Sequence, residues 1–202
     1  MINNDYLSLL QHSSAWLMRG HQYTAAHHDS MFRTWDEFDV FTKDNVVFGT
    51  NQIELAHFSK PGQQIDVARL VEYSRRLDQD GVNVSFWWSL DLFTTNKSAV
   101  ETAWREMPRI DSVFFPGGDG GTLVWPDIES AAEILHTHHP SATVWVSAQE
   151  FSDAQLTSFF KTIDTPAVRA YLHGVVVGPH WSIPTTEIVK RMPKGYPLRQ
   201  YV

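Results

Sequence analysis

Short apolar runs rich in β-branched and aromatic residues alternate with amphipathic segments along the whole chain. Several of these runs are continuous, which is typical of strands that are buried on both faces of a parallel sheet. They predict seven strands, at residues 17–23, 51–58, 82–90, 112–116, 142–148, 172–178 and 196–202. Strand centres recur about every 30 residues, which is the size of one βαβ unit. The pattern therefore predicts an α/β fold.

Four helices are predicted between these strands. Each segment has apolar positions at helical spacing, a capping residue at its start, or a glycine or proline at its end. The four segments cover residues 34–49, 65–81, 127–140 and 152–163. Because no low-complexity segment or linker interrupts the alternation, we expect a single domain.

Two architectures alternate strands and helices in this way. A doubly wound sheet that binds a dinucleotide carries several glycines after its first strand, but residues 19–30 contain only one. The other architecture is a (β/α)8 barrel, which typically needs about 250 residues. This chain has 202 residues and ends in the seventh predicted strand. We therefore predict an incomplete TIM-like barrel of about seven βα units, a single domain over residues 1–202 that is truncated at its C-terminus.

Composition and charge exclude several partners. The net charge of −7 argues against nucleic acid and anionic membranes. The N-terminus lacks the basic start and apolar run of a usual signal peptide, and no stretch approaches the roughly 18 apolar residues of a membrane span. Localisation is therefore left open. The chain has no cysteine, so disulfides and thiolate metal sites are excluded. We predict no cofactor and no metal.

Polar and aromatic side chains gather at the C-terminal ends of the predicted strands, where the chemistry of such barrels belongs. Carbohydrate sites need this mixture, because sugar faces pack on aromatic rings while sugar hydroxyls form directed hydrogen bonds. The predicted partner is therefore a carbohydrate substrate. The candidate substrate-binding residues are Arg19, His21, Gln22, Glu54, Trp88, Gln149 and His180.

The stretch PGGDGG, residues 116–121, places one carboxylate, Asp119, among four glycines after a predicted strand. The glycines remove side chains that would block a sugar from reaching Asp119. Glycosidic cleavage usually needs two carboxyl groups. Asp119 is the first candidate catalytic residue. Its partner must come from another strand end, and we rank Glu150 first, Asp91 close behind it, and Glu54 as a further candidate.

Four blocks of the chain resemble a known group of proteins. They are RGHQ (19–22), FGTNQIEL (48–55), FFPGGDGG (114–121) and VWVSAQEF (144–151). Large bacterial proteins predicted to be glycoside hydrolases carry similar blocks, RGHQ, GTNxIE, PGGDPG and SPQGF, in the same order. The resemblance covers nearly the whole chain. It implies a glycosidase barrel acting on a carbohydrate O-glycosidic bond, inside a longer parent chain with further domains.

More distantly, the chain is similar to the barrels of hexosaminidases and α-glucuronidases. In hexosaminidases, an Arg-Gly pair on strand one holds sugar hydroxyls, and it matches Arg19 and Gly20. Their strand four ends in Gly-Gly-Asp-Glu, where the Asp orients the substrate's 2-acetamido group and the Glu is the general acid. Asp119 matches the Asp, but Gly120 stands in place of the Glu. The resemblance therefore carries over the Asp and not the acid.

Structural explanations stand beside these assignments. The glycine-rich stretch is also typical of a simple turn. Arg19 and Gln22 are equally consistent with a structural pair at a strand end, and Glu54 with an ion pair inside the barrel. Trp87 and Trp88 are adjacent and point to opposite faces of a strand, so one of them belongs to the core.

Two further functions stay open. Gly120 in place of an acid would explain a barrel that binds carbohydrate without cleaving it. A metal-dependent TIM-barrel hydrolase would use His21, Asp119 and His180 from different strands. The histidines of HTHHP, residues 136–140, lie at a predicted helix C-terminus, where a histidine interacts favourably with the helix dipole. The histidine pair at residues 27–28 lies in a predicted loop. Neither cluster predicts a metal.

Overall fold

The computed structural model of the protein describes residues 34–47, 49–57, 65–118, 121–177 and 183–200. Strands and helices alternate throughout these ranges. The strands are β1 (Gln52–His57), β2 (Asn83–Trp88), β3 (Ser112–Phe115), β4 (Thr143–Ser147), β5 (Leu172–Val177) and β6 (Leu198–Gln200). The helices are α1 (Trp35–Val47), α2 (Val67–Gln79), α3 (Leu90–Thr95), α4 (Lys97–Glu106), α5 (Trp125–His138), α6 (Asp153–Ile163), α7 (Pro166–Arg169) and α8 (Thr185–Arg191).

The predicted alternation is confirmed wherever the chain is described. The last six predicted strands are β1 to β6, and the four predicted helices are α1, α2, α5 and α6. The first predicted strand, residues 17–23, lies outside the described residues. Helices α3, α4, α7 and α8 were not predicted. The fold class is α/β, as expected.

The strands follow chain order in the sheet, β1-β2-β3-β4-β5-β6. Strands β3, β4, β5 and β6 pair in parallel. Parallel neighbours need a crossover connection, and the intervening helices provide it. A parallel arrangement of this kind brings the carboxyl ends of β3 to β6 to one edge, so the loops that follow these strands lie on the same side.

Two compact units make up the chain: residues 1–86 with 98–111, and residues 87–97 with 112–202. In the second unit every residue of β3 is buried, in agreement with its continuous apolar run. Helix α5 buries an apolar face that includes Leu135, and helix α6 buries one that includes Leu156. The prediction of one truncated domain stays a prediction.

A polar cluster in the first unit fixes the start of β2. The Asp111 carboxylate accepts the amide of Val84 at 2.7 Å and a hydrogen bond from the Arg109 guanidinium at 2.8 Å. Arg109 also donates to Asn83, and the Ser74 hydroxyl donates to the carbonyl oxygen of Arg109 at 2.6 Å. The bond to Asp111 raises the pKa of Arg109.

Candidate functional site

The glycine-rich loop after β3 packs directly against the end of β4. The Gly117 amide donates to the carbonyl oxygen of Ser147 at 3.1 Å and lies 3.3 Å from its hydroxyl oxygen. A Cβ on Gly117 would collide with that carbonyl oxygen, and a Cβ on Gly118 would collide with the carbonyl oxygen of Gln149. Close backbone approach therefore requires glycine at both positions. The role in substrate access that the sequence suggested for these two glycines stays a prediction.

The same loop then closes on itself. Gly118 has a φ of 74° and Gly121 a φ of 118°, which are left-handed values that favour glycine. The Gly121 amide donates to the Gly118 carbonyl oxygen at 3.2 Å. Asp119 and Gly120 lie between them in the sequence and outside the described residues. The structure thus describes the glycines on either side of these two residues.

Asp91 brings a second carboxylate to this loop. Its Oδ2 lies 3.8 Å from the position that a Cβ on Gly121 would take, which is ordinary van der Waals contact. The sequence placed Asp91 at the end of a strand running to residue 90. In the structure β2 ends at Trp88, and Asp91 lies in the first turn of α3. The predicted strand was too long because Ser89 caps the helix, its side chain accepting the amide of Leu92 at 3.2 Å.

Glu150 follows the part of the chain against which the loop packs. Gln149 is 1% exposed, and Glu150 is exposed with a φ of 62°. A left-handed backbone costs a non-glycine residue about 1–2 kcal/mol, and such strain clusters at functional sites. The strained conformation takes the chain out of the core immediately after Gln149. The Asp91 carboxylate therefore lies near Gly121, and Glu150 directly follows Gln149, whose carbonyl oxygen lies near Gly118.

Three of the candidate substrate-binding residues, Trp88, Glu54 and Gln149, are buried. Trp88 is 0% exposed and Trp87 is 4% exposed, so both indoles belong to the core, where the sequence predicted that only one would. A fully buried indole presents no surface to a sugar ring. Glu54, on β1 of the first unit, is 3% exposed. Their roles in binding stay predictions.

Several candidates cannot be placed. Arg19, His21, Gln22, Asp119 and His180 lie outside the described residues, so their predicted roles stay predictions. The alternative metal site made of three of them likewise stays a prediction. Within the described ranges, no group of three or more His, Asp or Glu residues has the geometry to hold a metal ion. The described helices are all too short or too polar to cross a membrane.

An aromatic and cationic cluster on β4 to β6 was not predicted. The Arg199 guanidinium carbon lies 3.7 Å from the ring centroid of Trp145, and the same ring contacts His173 edge to face at 5.0 Å. Gly174 is the register partner of Trp145, and a Cβ there would collide with the indole. A lone glycine inside an apolar strand signals such close approach, so Gly174 was the available signal in the sequence.

Comparisons with known proteins find only distant likeness. Neither a protein-family model nor a curated protein sequence matches the chain. One similar solved structure is an alpha-L-fucosidase in complex with Fuca(1,6)GlcNAc, at TM-score 0.43 and 11% identity, covering 79% of this chain and 71% of that one. Another is a D-psicose 3-epimerase in the presence of D-fructose, at TM-score 0.41 and 12% identity, covering 70% and 57% respectively. No residue role is transferred from either protein.

Proposed function

We propose that this chain is a barrel-type glycoside hydrolase that cleaves an O-glycosidic bond at the glycine-rich loop after β3. The observation that carries the proposal is the position of the Asp91 carboxylate, whose Oδ2 lies 3.8 Å from where a Cβ on Gly121, two residues after Asp119, would stand. A second carboxyl group therefore adjoins the loop that bears the first. The chain order of the strands and the parallel pairing of β3 to β6 also suit a (β/α)8 barrel.

Asp119 and one partner divide the acid and base work in this proposal. Hydrolysis needs one carboxylic acid to protonate the leaving oxygen and one carboxylate to attack the sugar or to activate water. Asp91 becomes the first-ranked partner, since its carboxylate lies beside Gly121 of the loop. Its helical turn is held by the hydroxyls of Thr94 and Thr95, which donate to the Asp91 carbonyl oxygen at 3.1 and 2.7 Å. Glu150 is the alternative partner.

A panel of chromogenic glycosides and uronides tests the proposal on the purified protein. With any cleaved substrate, Asp119→Asn should lower kcat by about 10²–10⁴-fold, which is the range for a positioned acid or base. Either Asp91→Asn or Glu150→Gln should give a comparable loss. Glu129→Gln is the matched control, because Glu129 is an exposed carboxylate on α5. Unchanged turnover in all three site variants would reject the assignment.

A barrel that binds carbohydrate without cleaving it is the second candidate. It is favoured by Gly120, which stands where hexosaminidases have their general acid. Calorimetry with the same sugars separates the two functions. Binding without turnover of any glycoside supports the non-catalytic barrel, whereas turnover that depends on Asp119 supports the hydrolase.

A further inference from the structure

A groove beside the glycine-rich loop is lined by none of the residues that have been given a role so far. It has a volume of about 200 Å³ and lies between the chain leading into α5 and the outer face of α6. We propose that this groove, which we call the α6 groove, binds one neutral sugar ring of an oligosaccharide. The proposal rests on the proposed function and narrows its substrate class. The residues used in the argument are Trp125, Phe151, Phe159, Gln155, Ser158 and Thr162.

Three aromatic rings form the apolar part of the α6 groove. Phe159 is 4% exposed, and it contacts Trp125 with ring centroids 5.9 Å apart and Phe151 with centroids 6.0 Å apart. Trp125 and Phe151 are half-buried. The buried ring thus supports the other two, whose remaining surface borders the groove. Rigid aromatic surface of this kind packs against the apolar face of a sugar.

The polar part of the α6 groove is uncharged. Gln155, Ser158 and Thr162 are spaced three and four residues apart, so they share one face of α6. The Gln155 side-chain oxygen accepts the amide of Ser152 at 2.9 Å in a capping box, which leaves the carboxamide nitrogen as the donor toward a ligand. The Thr162 hydroxyl donates to the Ser158 carbonyl at 3.0 Å, so its oxygen can accept. Neutral donors and acceptors match sugar hydroxyls rather than phosphate or carboxylate groups.

The size and position of the groove indicate that its ligand is one sugar ring of an oligosaccharide. A volume of about 200 Å³ lies below the roughly 300–1,000 Å³ of sites for drug-sized ligands, so the groove suits a single ring. Thr122, which also lines the groove, follows Gly121 directly, and Phe151 follows Glu150. The groove is therefore lined by the residues that directly follow Gly121 and Glu150. A ring bound there would belong to an oligosaccharide whose scissile bond lies at the loop.

Calorimetry with neutral disaccharides and their component monosaccharides tests this inference. We expect a disaccharide of the accepted sugar to bind more tightly than the monosaccharide. Ser158→Arg fills the groove and should weaken disaccharide binding about tenfold, and monosaccharide binding by less. Ala154→Arg is the control, because Ala154 is exposed on the same helix and does not line the groove. Trp125→Leu should reproduce the loss.

The outcomes separate this inference from the hydrolase proposal. Equal affinity for disaccharide and monosaccharide, or no effect of Ser158→Arg, overturns the inference even if the protein is a glycosidase. A preference for disaccharide that is lost in Ser158→Arg supports it even if nothing is cleaved, and then only the hydrolase proposal fails. Size-exclusion chromatography adds a check: if Ser158→Arg breaks up a self-associated form and leaves sugar binding intact, the groove is a protein contact and the inference is wrong.

Discussion

Replacing Gly118 with alanine tests whether backbone contact with the end of β4 holds the glycine-rich loop. The alanine Cβ would collide with the Gln149 carbonyl oxygen, which belongs to the backbone and cannot rotate away as a flexible side chain would. The residue would also keep a φ of 74°, which side chains rarely adopt. We therefore expect Gly118→Ala to lower the free energy of unfolding through two separate costs.

A matched variant, Gly81→Ala, separates the cost of the collision from the cost of the left-handed backbone. A left-handed backbone costs a non-glycine residue about 1–2 kcal/mol, and overpacking a tight site costs about 1–3 kcal/mol. Gly118→Ala should therefore lose about 2–5 kcal/mol. Gly81 has a φ of 71° and no atom within 4 Å of its added Cβ, so Gly81→Ala should lose only about 1–2 kcal/mol. The change in unfolded-state entropy is common to both variants and cancels.

Urea unfolding followed by tryptophan fluorescence and circular dichroism measures both variants. The comparison is valid if the dependence of the unfolding free energy on urea is the same in both, since a changed slope means a changed native or denatured state. A larger loss in Gly118→Ala than in Gly81→Ala, by about 1–3 kcal/mol, supports the backbone contact. Equal losses would refute the reasoning, because Gly118 would then be needed only for its φ.

The remaining predictions concern pH and a buried hydroxyl. The hydrogen bond from Arg75 lowers the pKa of Glu72 from 4.5 to about 2. The stabilisation of the fold by ionised Glu72 is therefore present above pH 4.5 and is lost as the pH falls toward 2. The melting temperature of Glu72→Gln should depend less on pH in that window. Partial burial lowers the pKa of His173 below 6.5, so the free energy of unfolding should fall as the pH drops below 6.5. In His173→Gln this fall should be smaller. Tyr196→Phe leaves the Ile163 carbonyl without its 2.6 Å donor and should cost about 1–3 kcal/mol by urea unfolding, and a loss below 0.5 kcal/mol would contradict this.

Strands were the part of the fold that could be predicted from the sequence. The run at β3 is continuous and apolar because both faces of that strand are buried. A pattern of this kind depends only on local composition and on burial. The predicted strand at β2 extended too far because burial also continues beyond it. Leu90 and Leu92 are buried but lie in helix α3. The signal that could have ended the strand was Ser89, a favoured N-cap residue, followed by Asp91 in the first turn.

Helix α4 was missed although its signal is present in the sequence. Val100, Ala103 and Trp104 are buried, and their spacing of three and four residues is that of one helical face. The adjacent threonine and asparagine residues obscured the boundary, since α3 ends only two residues before α4 begins. Short connections of this kind leave few loop residues to mark where one helix stops.

The candidate site could be predicted only as a set of residue types. Carboxylates after strands indicate chemistry at one edge of a parallel sheet, but nothing local says which of them meet. The position of Asp91 beside Gly121 depends on how α3 packs beside the loop, and the left-handed Glu150 depends on how the chain leaves β4. Both are tertiary effects. Gly117 and Gly118 were noticed for their missing side chains, which close backbone approach requires, and their role in substrate access stays a prediction.

Main-chain attachment of the glycine-rich loop has a consequence for protein evolution. The Gly117 amide binds the Ser147 carbonyl and the Gly121 amide binds the Gly118 carbonyl, so the attachment does not depend on which side chains stand at positions 119, 120 and 150. Changes of side chain at those positions should leave both main-chain hydrogen bonds in place. A saturation library over them, including Gly120→Glu, would therefore explore new acid–base pairs on a constant frame. Gain and loss of catalysis within a lineage would need only a few codon changes.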